Sequence, residues 1–237
     1  MVLPKEHGTW MMFFLPYLLG VFLSSPSVLH LPFLVGWFAL FLAATPLLSI
    51  IRNRKTKAIM VPWLITYSLI SIVFLIPVVW IYPSLMWIGF STLPFLFINI
   101  YFINIKNERS IWNNISGILI FSLGGLAAHI IGVGHWTTSA FVTLVISVFY
   151  FTGSAFYVKS LIRERKNGRF KQQSHLYHSF LFALPWVIGI PFLTIAFLPG
   201  IVKDWITSRK KQMKPMKIGI IEMVNGVLFF LLCLAIY

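Results

Sequence analysis

The feature that most constrains this chain is a succession of long apolar runs almost free of charge. Clear runs occupy 9–24, 31–51, 59–82, 85–105, 111–133 and 137–158, and another covers 218–236. Each approaches the ~20 residues that carry a helix across a bilayer core. With 59% hydrophobic and 10% charged residues and a mean hydropathy of +0.88, the 237-residue chain has too little charge to clothe a water-soluble domain. Composition therefore excludes a soluble enzyme or binding module. It leaves an all-α, polytopic membrane helix bundle, which satisfies its backbone hydrogen bonds within each segment as hydrocarbon demands.

The stretch 176–206 is too long for one span and short for two, and charge parity resolves it. Cations fall in groups. Lys5 comes first; Arg52, Arg54, Lys55 and Lys57 follow the second run, and Lys106 and Arg109 follow the fourth. Lys159, Arg163, Arg165, Lys166, Arg169 and Lys171 follow the sixth, and Lys203, Arg209, Lys210, Lys211, Lys214 and Lys217 follow the doubtful stretch. Cytoplasmic loops carry the positive charge of membrane proteins. Two spans within 176–206 keep all 19 cations on that side, whereas one span would send the last group outward. The reading is about nine transmembrane helices, with the doubtful pair near 172–190 and 191–208 and Pro191 as the break.

This topology places the N-terminus in the cytoplasm and the C-terminus outside the bacterial cell membrane, within one integral membrane domain, 1–237. The net charge of +14 then reflects orientation, and no nucleic-acid partner is expected. The short polar start does not read as a cleavable signal peptide. Cys233, the single cysteine, has no partner for an intrachain disulfide. Prolines at 16, 46, 62, 77, 94, 185 and 199 predict kinks, and kinked helices either simply bend or enclose a cavity. Gly124, Ala128 and Gly132 form a small-residue stripe suited to close helix contact.

Two basic loops resemble each other. Ser49-Ile50-Ile51-Arg52-Asn53-Arg54-Lys55 and Ser160-Leu161-Ile162-Arg163-Glu164-Arg165-Lys166 share the pattern Ser-apolar-Ile-Arg-x-Arg-Lys. They fit two parallel four-helix repeats, 1–107 and 108–208, with a last helix at 217–237. Chance similarity of two helix ends is the equal alternative. Guanidinium forks grip phosphate oxygens in a way that ammonium groups do not. The candidate anion-binding set is therefore Arg52, Arg54, Lys55, Arg163, Glu164, Arg165 and Lys166, with Lys5 and His7 at the same interface. Anchoring to an anionic leaflet is the plainer reading of the same residues. The expected partners are membrane lipids, including an anionic or isoprenoid phosphate lipid.

Other polar residues are sparse. His175 and His178 lie one turn apart and could share a metal, but no Cys or Asp accompanies them in the sequence, which favours interfacial hydrogen bonding. His30, His129 and His135 do not form an opposed haem-ligand pair. No metal or other cofactor is expected. Glu222 stands inside the last apolar run, where an acid is costly unless paired or facing a polar cavity, and with Asn225 it marks an inward face. Asn99, Asn113 and Asn114 read as helix-to-helix hydrogen-bonding points.

The opening Pro4-Lys5-Glu6-His7-Gly8-Thr9-Trp10, the following Leu15-Pro16-Tyr17-Leu18-Leu19-Gly20 and the late Lys217-Ile218-Gly219-x-x-Glu222 resemble the YwiC-like family of bacterial membrane proteins. Gly8-Thr9, Leu15-Pro16, Gly20, the nine helices and the special loops after the second and sixth are also distantly similar to UbiA-type intramembrane prenyltransferases. That second resemblance implies loops holding magnesium and a substrate pyrophosphate over a lipid-receiving cavity. Laid on this chain, its later acidic pattern puts Glu164 at one acidic position, Ser160 at the other and Gly168 at the glycine. Its earlier pattern falls across 45–53, where there is no carboxylate. The resemblance then implies an atypical transferase, or a relative that binds a phosphorylated lipid or isoprenoid without the usual magnesium site. A small lipid or metabolite transporter and a structural membrane subunit are the alternatives, and no catalytic residue is assigned.

Overall fold

The computed structural model describes residues 3, 7–210 and 212–236. Among the described residues the chain forms nine α-helices and no strand. They are α1 (His7–Phe22), α2 (His30–Arg52), α3 (Lys57–Ile81), α4 (Leu85–Asn104), α5 (Ile111–Val133), α6 (Thr138–Leu161), α7 (Gly168–Val187), α8 (Thr194–Ile206) and α9 (Pro215–Ile236), with short 3-10 turns at Arg54–Thr56 and Pro191–Leu193. Six of these, α2 to α6 and α9, are long and apolar enough to cross a membrane. The chain is a multi-pass membrane protein.

Helix α5 sits at the centre because its small residues let neighbouring backbones approach. A Cβ on Gly20 of α1 would lie 2.1 Å from the Gly125 carbonyl oxygen, and one on Gly125 would lie 2.4 Å from that of Pro16. The expected stripe faces two helices: Gly124 abuts the Trp37 indole of α2, and Gly132 abuts Ser24 just beyond α1. At the same end His30, expected in a connection, opens α2 and is buried, its Nε2 lying 2.8 Å from the Ala128 carbonyl. One apolar core joins α1, α2 and α5 through Phe13, Tyr17, Trp37 and Leu126. A second, built on Ile146, Tyr150, Leu184, Phe197 and Phe229, holds α6 to α9 together. The outward faces of α3 and α4 carry exposed Ile, Phe and Trp, the surface a bilayer solvates without penalty.

The doubtful stretch does split at Pro191, which opens the second 3-10 turn. Both helices are shorter in their apolar part than two full spans require. Helix α8 has 13 residues, which at ~1.5 Å per residue gives about 20 Å against a core of about 30 Å. Helix α7 begins with a polar turn containing Arg169, Lys171, Gln172 and Gln173. Gly189, at φ +80°, takes the left-handed conformation that lets the chain reverse. The two helices form an antiparallel hairpin that enters and leaves on one side, so the charge parity of the following loop is the same however deep the tip reaches.

Candidate functional site

The helix ends that carry the basic loops meet on one face of the bundle. Arg52, at the end of α2, grips Glu108 of the α4–α5 connection through Nε at 2.7 Å and Nη2 at 2.5 Å. Lys159, at the end of α6, donates to the Arg109 carbonyl at 2.6 Å. Arg165, in the α6–α7 connection, donates to the Lys210 carbonyl beyond α8 at 2.9 Å. Glu108 lies outside the spans, and the hydrogen bonds from Arg52 hold its carboxyl below the ordinary value of 4.5 against an opposing contribution from partial burial.

Beneath this face lies a buried ionic cluster, positioned by the α7–α8 hairpin. Asn167 caps α7 by accepting from the Phe170 N–H at 3.2 Å, and the helix then presents Ser174, His175 and His178 on one side. Helix α8 buries Phe197, Gly200, Lys203 and Asp204 at helical spacing. Antiparallel packing brings Asp204 against the three α7 side chains. Asp204 has no exposed surface. Its Oδ1 accepts from Ser174 Oγ at 2.7 Å and from Arg209 Nη2, while its Oδ2 pairs with His175 Nδ1 at 2.5 Å. Arg209 also donates to Ser160 Oγ at 3.2 Å and to the carbonyls of Asp204 and Thr207. His178 Nδ1 bonds the Ser174 carbonyl at 2.8 Å and stands 3.6 Å from Asp204.

A second buried pair adjoins the first. Lys203 bonds Glu222 of α9, which also accepts from Ser154 of α6. The Lys203 ammonium lies over the Tyr157 ring, 4.3 Å from its centroid. One turn along α9, Asn225 donates to the Tyr150 hydroxyl at 2.7 Å. The inward face read at Glu222 and Asn225 is therefore real, and its partners are α6 and α8. Asn99 of α4 reaches Ser116 of α5 at 2.8 Å, the helix-to-helix contact expected, whereas Asn113 donates to the Glu108 carbonyl of the preceding connection at 2.7 Å.

Two clefts open on the basic face. One of about 430 Å³ is lined by Arg165, Lys166, Lys171, Arg209 and Lys210 with Trp205, Ile206, Thr207 and Ser208. Among the described residues no carboxylate lines it. The described acids are all engaged: Glu108 with Arg52, Glu222 with Lys203, Asp204 with His175 and with Arg209 of this cleft, and Glu164 with the Asn167 amide at 2.9 Å. The other cleft, of about 580 Å³, lies between Ile51, Arg52 and the 103–109 segment and contains the Arg52–Glu108 pair.

The sequence-derived candidates divide between these places. Arg165 and Lys166 line the smaller cleft and Arg52 the larger one. Arg54, Lys55 and Arg163 are exposed and line neither. Glu164, named in the same set, accepts from the Asn167 amide and lines neither cleft. Lys5 lies outside the described residues, and the His7 side chain does too, although its backbone opens α1. Two readings change. The absence of an acid beside His175 and His178 is corrected, because Asp204 comes back along the hairpin, and Lys203 of α8 forms a buried pair with Glu222 of α9 instead of lying in a solvated loop. Among the described residues no group of three or more His, Cys, Asp or Glu side chains is arranged to hold a metal ion.

Asp204 and Arg209 are the functional candidates that sequence reasoning passed over. Their signal was an acid in an otherwise apolar helix, which hydrocarbon tolerates only with a partner.

Comparison with known proteins adds kinship. A family described as YwiC-like protein matches residues 3–129. The chain is 37% identical over 237 residues to a Bacillus subtilis protein described as uncharacterized protein YwiC, covering 99% of this chain and 98% of that relative. It is 32% identical over 235 residues to an uncharacterized Haemophilus influenzae protein, covering 99% and 98% respectively. No solved structure matches the chain.

Proposed function

This chain belongs to the YwiC-like family, and we propose that it binds the phosphorylated headgroup of a membrane lipid or isoprenoid at the cytoplasmic cleft between the α6–α7 loop and the end of α8. One observation carries this reading: the cleft gathers Arg165, Lys166, Lys171, Arg209 and Lys210 and, among the described residues, is lined by no acid. Cations that the fold merely needed for orientation would be spread through solvated loops. Here they converge, beside Trp205 and Ile206, which are exposed and apolar. Such a rim suits an amphiphile, with the anion held by charge and the first methylenes laid on the indole.

The binding needs no metal. Arg165 is oriented by its bond to the Lys210 carbonyl, which leaves the rest of its guanidinium fork for phosphate oxygens. Lys166, Lys171 and Lys210 supply mobile ammonium groups around it. Glu164, the single acid of the two repeated loops, faces the Asn167 amide and does not offer the paired carboxylates that magnesium and diphosphate share. The reading is thus a metal-independent lipid-phosphate site in the cell membrane.

The test is lipid recovery. Wild type and the variant Lys166→Gln, Lys171→Gln, Lys210→Gln are purified from the same membranes in mild detergent with EDTA, and bound lipids are identified by native mass spectrometry. Wild type retains a phosphate-bearing lipid and the triple variant loses it at unchanged expression. Equal recovery from both proteins would refute the reading.

A further inference from the structure

Arg209 belongs to both the cleft and the buried cluster. It lines the cleft and at the same time grips Asp204, whose other oxygen is held by His175. Because a carboxylate paired with a guanidinium has no hydrogen to donate, the hydrogen of the His175–Asp204 contact sits on Nδ1. In its neutral form the ring keeps a lone pair on Nε2, for which no described residue serves as partner. His178 differs, since it is 2% exposed and its Nδ1 is spent on the Ser174 carbonyl. The His175 side chain keeps 13% exposure, and its ring stacks on Trp205 with centroids 4.6 Å apart and planes at 15°. Trp205 lines the cleft, and so does Lys171, one helical turn before His175. A proton taken up at Nε2 places a new positive charge directly behind the cleft wall.

Asp204 makes that charge matter twice. Its carboxylate is shared by Arg209, His175 and Ser174. While His175 is neutral, Arg209 is the one permanently charged group bonded to the anion, beside the Ser174 and His175 donors. Once His175 is an imidazolium, the same anion serves two cations, and the guanidinium that lines the cleft is less tightly claimed. The other charged or titratable groups packed around Asp204 are His178 on α7, Lys203 on its own helix, Tyr157 on α6 and, through Lys203, Glu222 on α9. Lys203 and Glu222 neutralise each other. His175 is the member with both a free ring nitrogen and an opening toward the surface.

We infer that His175 is a specificity-determining residue of the cleft, coupling the affinity for a tetrahedral oxyanion to proton uptake through Asp204 and Arg209. This rests on the lipid-phosphate reading above and adds to it a charge-state preference. A dianionic group, such as a phosphate monoester, gains more from the added charge than a singly charged phosphodiester. The ligand's own ionisation obscures the effect for a monoester, so the test uses probes whose charge is fixed across the range.

The experiment titrates detergent-solubilised full-length protein with inorganic sulfate and, separately, with dihexanoyl phosphatidylglycerol, at about pH 5.5 and about pH 7.5, the interval in which imidazoles change charge. Wild type should bind sulfate on the order of tenfold more tightly at the lower pH, with a smaller gain for the phosphodiester. His175→Gln should keep the affinity measured at the higher pH and lose the pH dependence. His175→Asn, which retains a donor near the Nδ1 position, should behave the same and guard against a folding defect. A phosphodiester that binds at far lower concentration than sulfate identifies the lipid as the ligand source, and parity of the two identifies free oxyanion. Identical pH profiles in wild type and both variants overturn the inference while leaving the cleft intact. No binding by any protein at either pH overturns the inference together with the reading it rests on.

Discussion

Removing the Asp204 carboxylate takes away the centre of the buried ionic cluster. The side chain has no exposed surface and accepts from Arg209, His175 and Ser174, while the Arg209 side chain beside it is only 4% exposed. All three hydrogen bonds end on the carboxylate and are charge-assisted, at about 1.5–3 kcal/mol each. Their sum overstates the loss, because Arg209 also lines an open cleft and can turn toward water. Breaking a buried pair by deleting one partner costs about 3–5 kcal/mol, and partial escape of the guanidinium puts Asp204→Ala near 3 kcal/mol. Adding Arg209→Met removes the orphaned charge, so the double variant should be less damaged than the two single losses summed, with a coupling of about 1–3 kcal/mol. Reversible unfolding in mixed micelles, followed by tryptophan fluorescence, gives the four stabilities. A loss below about 1 kcal/mol for Asp204→Ala, or strict additivity in the cycle, would refute the reasoning.

Gly20→Ala should cost about 3 kcal/mol, because the new Cβ meets the Gly125 carbonyl at 2.1 Å and backbone cannot yield cheaply; Gly226→Ala, whose Cβ meets the flexible Met11 tip at 2.6 Å, should cost less than about 1 kcal/mol in the same unfolding assay. The carboxyl of Glu108 has its folded-state pKa depressed by Arg52, so their tie is complete above the ordinary value of 4.5 and is lost as pH falls through the lowered one. A fluorescent probe on Lys106→Cys should accordingly gain mobility on acidification below that value, and Glu108→Gln should be mobile at every pH. Arg165→Lys should weaken lipid retention by about 1–2 kcal/mol, and Arg54→Lys should leave it unchanged, since only Arg165 borders the acid-free cleft. A cysteine placed at Lys210 should resist an impermeant reagent in intact cells, whereas one placed at the exposed His135 should react.

The helices were legible because hydrocarbon leaves little choice. An apolar run of membrane length must be helical, and Pro191 had to interrupt the only run that was too long. The Gly124 stripe was legible for a similar reason, as small residues spaced by one turn have little use except close approach. Glu222 and Asn225 announced a buried polar face, since an acid there is intolerable without a partner. Asp204 was hidden by its neighbour Lys203, which made the pair look like the start of a basic loop. Its partners His175 and Arg209 lie 29 and 5 residues away, and only the hairpin brings the first of them back. The repeated Arg-x-Arg-Lys pattern was visible, but not the different use made of each copy. After α2 the chain passes through one 3-10 turn directly into α3, so Arg52 finds Glu108 and Arg54 stays in solvent. After α6 a longer connection folds toward the end of α8, so Arg165 finds the Lys210 carbonyl and joins the cleft.

The most direct measurement of the proposed headgroup site is photo-cross-linking in native membranes. A photoreactive side chain replaces Ile206 at the cleft rim in one protein and Ile59 on the exposed, lipid-facing start of α3 in another. Mass spectrometry of the adducts from the Ile206 protein should show enrichment of a phosphate-bearing lipid over bulk membrane composition, and the enrichment should vanish when Lys166, Lys171 and Lys210 are changed to Gln. Adducts at Ile206 that match those at Ile59 and ignore the lysine changes would contradict the site.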